Sequence, residues 1–226
     1  MTSGTATLAR QRPAERRLGV ACMANARAAL GALTPSSEVV LLTAGQFGLS
    51  HLVAAVLAVT GPCACSIATW TAGRRAIGHI RRLRATGLLT DVRWWLDPSF
   101  GRRQPEYLAA VLDGFGPSAM RLAPVHAKAV TLTNDRWAVT IRGSLNLNHA
   151  VRAELIEISA DRALTDWLTG LINDVFTAVP AGVESREAPA ALARVFGVDA
   201  STVTVPALVF GKCLDDPGRP GLSRGL

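Results

Sequence analysis

Residues 125–154 read VHAKAVTLTNDRWAVTIRGSLNLNHAVRAE, and the reading of the whole chain turns on them. A His-x-Lys pair, His126 and Lys128, precedes a Gly-Ser-x-Asn turn at Gly143, Ser144 and Asn146, and the stretch closes on a carboxylate, Glu154. These residue types suit a phosphodiester. An imidazole can attack or protonate, while an ammonium, a hydroxyl and an amide hold oxygens. Lys128 also stands out by composition: of the 24 basic residues, all but Lys128 and Lys212 are arginine. A lysine in so arginine-rich a chain points to a compact ammonium rather than a planar guanidinium.

The run HAKAVTLT alternates and is β-branched, so it reads as a strand with His126 and Lys128 on one face. WAVTIRGSLN, 137–146, reads as a second strand, joined to the first through the turn pair Asn134-Asp135. A hairpin alone does not set Ser144 beside His126. A third apolar run, 154–158, starts at Glu154; if it enters the same sheet, the carboxylate can bond the imidazole and fix its tautomer. His-x-Lys by itself says little, because two polar residues on one strand face are ordinary. With Gly-Ser-x-Asn and the glutamate following in order, the stretch reads as a site.

That order of residues resembles one half of a phospholipase D superfamily site, whose signature runs His-x-Lys, Asp, Gly-Ser-x-Asn and a downstream Glu. The resemblance implies a phosphohistidine mechanism without metal or cofactor, in which two such motifs meet across a twofold axis. On it His126 is the nucleophile or the acid, Lys128, Ser144 and Asn146 hold the phosphate, and Glu154 orients the histidine. The aspartate of the signature falls on Thr133 here, with Asp135 two residues on, and the loop before Glu154 is short. The missing aspartate bears more on local hairpin geometry than on chemistry.

The flanking sequence agrees with an α/β fold, a mixed β-sheet flanked by helices. EVVLLTA (38–44), CACSIATW (63–70) and VRWWLD (92–97) read as strands. LSHLVAAVLAV (49–59), AIGHIRRLRATGLL (76–89) and PEYLAAVLDGFG (105–116) read as helices, the first stopped by Gly61-Pro62 and the last bounded by Pro105 and Gly116. Strands alternating with helices, followed by strands in succession, give that architecture. The resemblance covers roughly 35–180, taken as a phospholipase D-like domain. Residues 1–34 are expected to form a basic N-terminal helix or arm. Arg16-Arg17 precede LGVACMANA, but Asn25 and Arg27 interrupt any leader, so a helix over about 14–33 is expected. Residues 181–226 form a proline-punctuated, partly mobile extension in which 190–203 resembles the start of a helix-turn-helix, cut short by Pro206.

Only one His-x-Lys occurs, and His51 and His79 lack a lysine two residues on, so they are expected as packed or surface histidines. His149 follows the Gly-Ser-x-Asn turn and is expected in a surface loop. One motif where the resemblance calls for two implies a homodimer with a shared site. The four cysteines, Cys22, Cys63, Cys65 and Cys213, show neither metal spacing nor a disulfide frame, and the longest apolar run, 52–59, is too short for a membrane span. A cytoplasmic protein with no stable membrane association is expected.

The formal net charge is +7, and arginines cluster at 10–17, 74–75, 81–84 and 102–103. Beside a phosphodiester site, that balance favours nucleic acid, DNA before RNA, over phospholipid. The expected activity is a metal-independent nuclease, and resemblance to bacteriophage-type members suggests phage DNA processing. Arg142, next to the turn, could hold a backbone phosphate if it faced the site. Two other classes remain open: a nucleic-acid-binding scaffold that has lost turnover, and a phospholipase or phospholipid transferase, which should show an exposed apolar rim.

Overall fold

The structure, a computed structural model, describes residues 15–20, 25–148 and 151–198. In chain order its elements are β1 (Glu15–Val20), α1 (Ala26–Leu30), β2 (Ser37–Thr43), α2 (Leu49–Thr60), β3 (Cys63–Thr69), α3 (Arg74–Ala85), β4 (Leu89–Leu96), α4 (Pro98–Arg103), α5 (Pro105–Phe115), β5 (Met120–Leu122), β6 (Ala129–Thr133), β7 (Ala138–Gly143), β8 (Glu154–Ser159), α6 (Arg162–Ala178) and α7 (Ala188–Phe196). The strands form one mixed sheet in the order β1-β2-β8-β7-β6-β3-β4-β5. β1 and β2 are parallel, as are β3, β4 and β5, and the strands between run antiparallel.

Alternation along the strands sorts the core into two layers. Val39, Leu41, Ile67, Trp94, Leu132 and Ile141 face α1, α2, α3 and α5, packing with Leu52, Val56, Ile77 and Ile80. Ala68 and Trp95 face the other way, onto Ile172 and Val175 of α6 and Ala188 and Ala191 of α7. The middle of this second face is fastened by a buried hydrogen bond between the hydroxyls of Thr140 on β7 and Thr165 on α6, 2.9 Å apart. Towards β1 the same face lies open. Leu18, Leu42 and Leu155 there are 74%, 43% and 54% exposed, with Trp167 of α6 at their border, 40% exposed. Cys63 and Cys65 are buried free thiols. Burial raises both pKa values, which suppresses the reactive thiolate.

The expected helix over 14–33 is replaced by a strand and a short helix. Arg16 and Leu18 share one face of β1, where Arg16 pairs with Glu38 at 2.5 Å. Asn25 then starts α1, its side chain accepting from the Ala28 N–H at 2.8 Å. The Arg17 guanidinium donates to the Leu30 and Ala32 carbonyls and ties the end of α1 back to β1. The helix expected over 76–89 stops at Ala85, because Leu89 already pairs with Cys63 as the first residue of β4. Strand β6 begins at Ala129, so His126 and Lys128 lie in the segment leading into it rather than on it. Of the helix-turn-helix-like segment, α7 is closed by Gly197, and the remainder from 199 lies outside the described residues.

Thr133 stands where the signature has an aspartate, and the residue beside it holds the hairpin. The Asn134 side-chain oxygen accepts from the Arg136 and Trp137 N–H groups at 3.0 and 2.7 Å. Its amide nitrogen donates to the Thr60 and Pro62 carbonyls at 3.1 and 3.0 Å, anchoring the turn to the end of α2.

Candidate active site

The start of β6, the end of β7 and the start of β8 meet at one edge of the sheet, beside the carboxyl ends of β3 and β4. The segment that carries His126 is pinned there by β4. The Ala123 N–H donates to the Leu96 carbonyl at 3.1 Å, and the Trp95 indole N–H to the Ala123 carbonyl at 3.1 Å. The Val125 N–H donates to a carboxylate oxygen of Asp97 at 3.2 Å, and Asp97 also caps α4 through the Ser99 N–H at 2.9 Å. His126 is left exposed next to Trp70, with ring centroids 5.8 Å apart. The Arg103 guanidinium stacks on the Trp70 ring, 3.8 Å from its centroid.

Lys128 turns back on His126. Its ammonium lies 2.8 Å from the His126 carbonyl oxygen and 3.2 Å from each ring nitrogen. Burial pushes the Lys128 pKa below the ordinary lysine value; the Glu154 carboxylate opposes that shift and Arg152 adds to it.

The Gly-Ser-x-Asn turn is locked to both neighbours. The Gly143 N–H donates to the Lys128 carbonyl at 3.2 Å, and the Ser144 N–H to the Leu155 carbonyl at 3.0 Å. Gly143 has φ +156, and a Cβ built on it would sit 2.1 Å from the Leu155 oxygen, so the close passage of β8 requires glycine. The Ser144 hydroxyl donates to the Glu154 carboxylate and accepts from the Leu155 N–H at 3.1 Å. Farther on, the Leu147 carbonyl accepts from the Gly73 N–H at 2.8 Å, fastening the turn to the start of α3.

His126, Lys128, Ser144, Asn146 and Glu154 therefore line one surface pocket of about 580 Å³, together with Trp70 and Arg152. Three separate segments supply the five residues. Asn146 is buried, and its amide oxygen has no hydrogen-bond partner among the described residues. An amide offers an acceptor and two donors, so it can meet a hydroxyl or an anionic oxygen. Glu154 is buried too, but its bonds go to Ser144 and, at 2.6 Å, to Arg152. The expected Glu154 contact with the His126 ring is not among them; the group against that ring is the Lys128 ammonium. Arg142 is directed away from the pocket, pairing with Glu157 at 2.5 Å across β7 and β8. His149 lies outside the described residues.

Arg152, Trp70, Arg103 and Asp97 were not anticipated as contributors. Arg152 had a signal, since it stands two residues before Glu154. Trp70, Arg103 and Asp97 reach the site only through the fold. Among the described residues, no group of three or more His, Cys, Asp or Glu could hold a metal ion, and no helix is long and apolar enough to cross a membrane. The pocket offers an accessible imidazole, two cations and a hydroxyl around a buried carboxylate. That set can bind an anionic tetrahedral group and attack it.

No family model and no curated protein matches the chain. Among solved structures it is similar to Nuc, a phospholipase D family member from Salmonella typhimurium, at 16% identity and a TM-score of 0.46, over 66% of this chain and 99% of that one.

Proposed function

We propose that the chain is a metal-independent phosphodiesterase of the phospholipase D type that hydrolyses nucleic acid, DNA in preference to RNA, as a homodimer with a shared site. The observation that carries this reading is the convergence of His126, Lys128, Ser144, Asn146 and Glu154 on one pocket from three segments. The net charge of +7 favours a polyanionic substrate.

In the first step an imidazole nitrogen of His126 bonds to phosphorus and the bond to the leaving oxygen breaks. The partner subunit's His126, protonated, gives that oxygen its proton. In the second step the same imidazole of the partner takes a proton from water as the water oxygen bonds to phosphorus. The phosphorus–nitrogen bond then breaks and both histidines are restored. Lys128, Ser144 and Asn146 stabilise the charge that builds on the non-bridging oxygens, and Arg152 pairs with Glu154 beside them.

Mass spectrometry of turnover quenched at alkaline pH tests the covalent step. A phosphoryl adduct on His126 is expected; turnover with the adduct on another residue contradicts the assignment. Light scattering should give twice the 23.8 kDa chain mass, and a catalytically competent monomer would remove the shared site.

One observation favours a second reading, a phospholipase or phospholipid transferase. The exposed strip of Leu18, Leu42, Leu155 and Trp167 lies beside the pocket, and Leu155 follows Glu154 directly. Such a strip fits a lipid surface as well as a second copy of the chain. Hydrolysis of phosphatidylcholine vesicles, with no cleavage of oligonucleotides, would decide for the lipid.

A further inference from the structure

A second cavity, of about 860 Å³, opens where the first turns of α2 and α3 come together. Ser50 and His51 line it from α2, and Arg74, Arg75, His79 and Arg82 from α3. Among the described residues no carboxylate lines it, and neither helix has an acidic residue in its first turn. The positive ends of both helix dipoles thus add to three guanidinium groups. Arg74 and Arg75 are exposed and make no hydrogen bond or ion pair among the described residues. Such a cluster attracts a polyanion.

The histidines are arranged for the same task. The ring nitrogen Nδ1 of His51 accepts from the Gly48 N–H at 3.1 Å, so its neutral tautomer carries the proton on Nε2. Nδ1 of His79 lies 3.2 Å from the Ser50 hydroxyl, and the two rings are 5.3 Å apart, centroid to centroid. Burial, His51 and Arg82, in that order, lower the His79 pKa. The neutral His51 ring therefore offers its Nε2–H as a donor, and an anion in the cavity would oppose the downward shift at His79.

The position relates this cavity to the first. Asn146 lines the His126 pocket and Asn148 lines the second cavity, so the same turn forms a wall of each. The Asn148 side-chain oxygen is buried and without a partner among the described residues. From Asn146 to Asn148 is at most about 7 Å of extended chain. A strand reaching from the one cavity to the other therefore advances by about one or two phosphates.

We infer that the cavity between the starts of α2 and α3 is a phosphate subsite that holds the nucleic-acid strand a step or two away from the scissile phosphodiester. The inference rests on the nucleic-acid reading above. It makes Arg74, Arg75, His51 and His79 binding residues that act on polymer and are silent towards a small diester.

The test compares full-length wild type with Arg74→Ser/Arg75→Ser in two assays. Fluorescence anisotropy of a labelled single-stranded oligonucleotide is followed against salt, and hydrolysis of bis(p-nitrophenyl) phosphate reports on the His126 pocket alone. A charge-matched variant, Arg136→Ser/Arg162→Ser, lies at the opposite end of the sheet, where Arg162 reaches the Asp135 carbonyl of the β6–β7 turn. The expected result is about a tenfold weaker polymer affinity for Arg74→Ser/Arg75→Ser, with the salt slope reduced by about 1.4 for two lost phosphate contacts. Small-diester turnover should not change, and the control variant should bind as wild type does.

Equal weakening by the control variant, or an unchanged salt slope in Arg74→Ser/Arg75→Ser, overturns the subsite. So does a wild type that binds only anionic vesicles and no oligonucleotide. A wild type that binds polymer through Arg74 and Arg75 but hydrolyses neither substrate keeps the subsite and refutes the catalytic reading.

Discussion

The Lys128 ammonium approaches both ring nitrogens of His126 to 3.2 Å, while the Glu154 carboxylate takes its hydrogen bonds from Ser144 and Arg152. The imidazole thus sits against a cation whose own proton is loosened by burial. A depressed lysine pKa means that the ammonium loses its charge, and with it a phosphate ligand, at a lower pH than an ordinary lysine would. kcat/KM on a small diester should therefore fall on an alkaline limb below the ordinary lysine value of 10.5. Arg152 depresses this pKa and also neutralises Glu154, which raises it. Arg152→Ser should move the limb to higher pH, and Glu154→Gln to lower pH. Limbs that stay together in both variants would show that another group titrates there.

Asp97 holds the His126 segment from a distance, through the Val125 N–H at 3.2 Å. Asp97→Ala removes this bond and the α4 cap, leaving a part-buried N–H without its acceptor. Stability should drop by about 2 kcal/mol, and kcat should fall by about tenfold or more as the histidine shifts. Asp97→Asn keeps an acceptor and should recover most of kcat at unchanged KM. Equal kcat in wild type and Asp97→Ala, on matched folded protein, would remove Asp97 from the account.

At Gly143 the backbone of β8 leaves no room for a side chain, with the Leu155 oxygen 2.1 Å and the Ile156 Cα 3.0 Å from a built Cβ. Gly143→Ala should destabilise by about 3 kcal/mol through overpacking, separating β7 from β8 at the site. Its urea midpoint should fall together with activity. A midpoint like that of wild type would mean that the turn accommodates the methyl group by another route.

The Thr140 and Thr165 hydroxyls satisfy each other in a fully buried contact, 2.9 Å apart. Either threonine changed to valine leaves one hydroxyl orphaned, at a cost of about 1–3 kcal/mol. Thr140→Val/Thr165→Val removes both polar groups and should be nearly neutral. Additive single effects in a double-mutant cycle would contradict this pairing.

Much of the architecture was legible because burial leaves a mark on sequence. β2 and β3 are continuous apolar runs, and α2 and α5 are bounded by Gly61 and by Pro105 and Gly116. The five residues that share the pocket were legible as a motif, and the strand starting at Glu154 came out where its apolar run lies. What stayed hidden depends on contacts distant in sequence. β1 resembled a helix because its alternation spans one short strand whose Arg17 contacts lie at the end of α1. β5 is three residues long, too short to show a period. His51 and His79 belong to helices that follow β2 and β3, strands separated in the sheet by β8, β7 and β6, so nothing local marks them as neighbours. The Trp70 contact with His126 and the Arg103 stack behind it are hidden for the same reason.

The most direct measurement is cleavage of labelled single- and double-stranded DNA and RNA in EDTA, comparing wild type with His126→Ala. The account predicts EDTA-resistant cleavage by the wild type, DNA before RNA, and its loss in His126→Ala while the fold is retained. A well-folded wild-type dimer that cleaves none of these polymers would contradict it. In that case a wild type that still binds the polymers, with binding surviving His126→Ala, would be a nucleic-acid-binding scaffold without turnover.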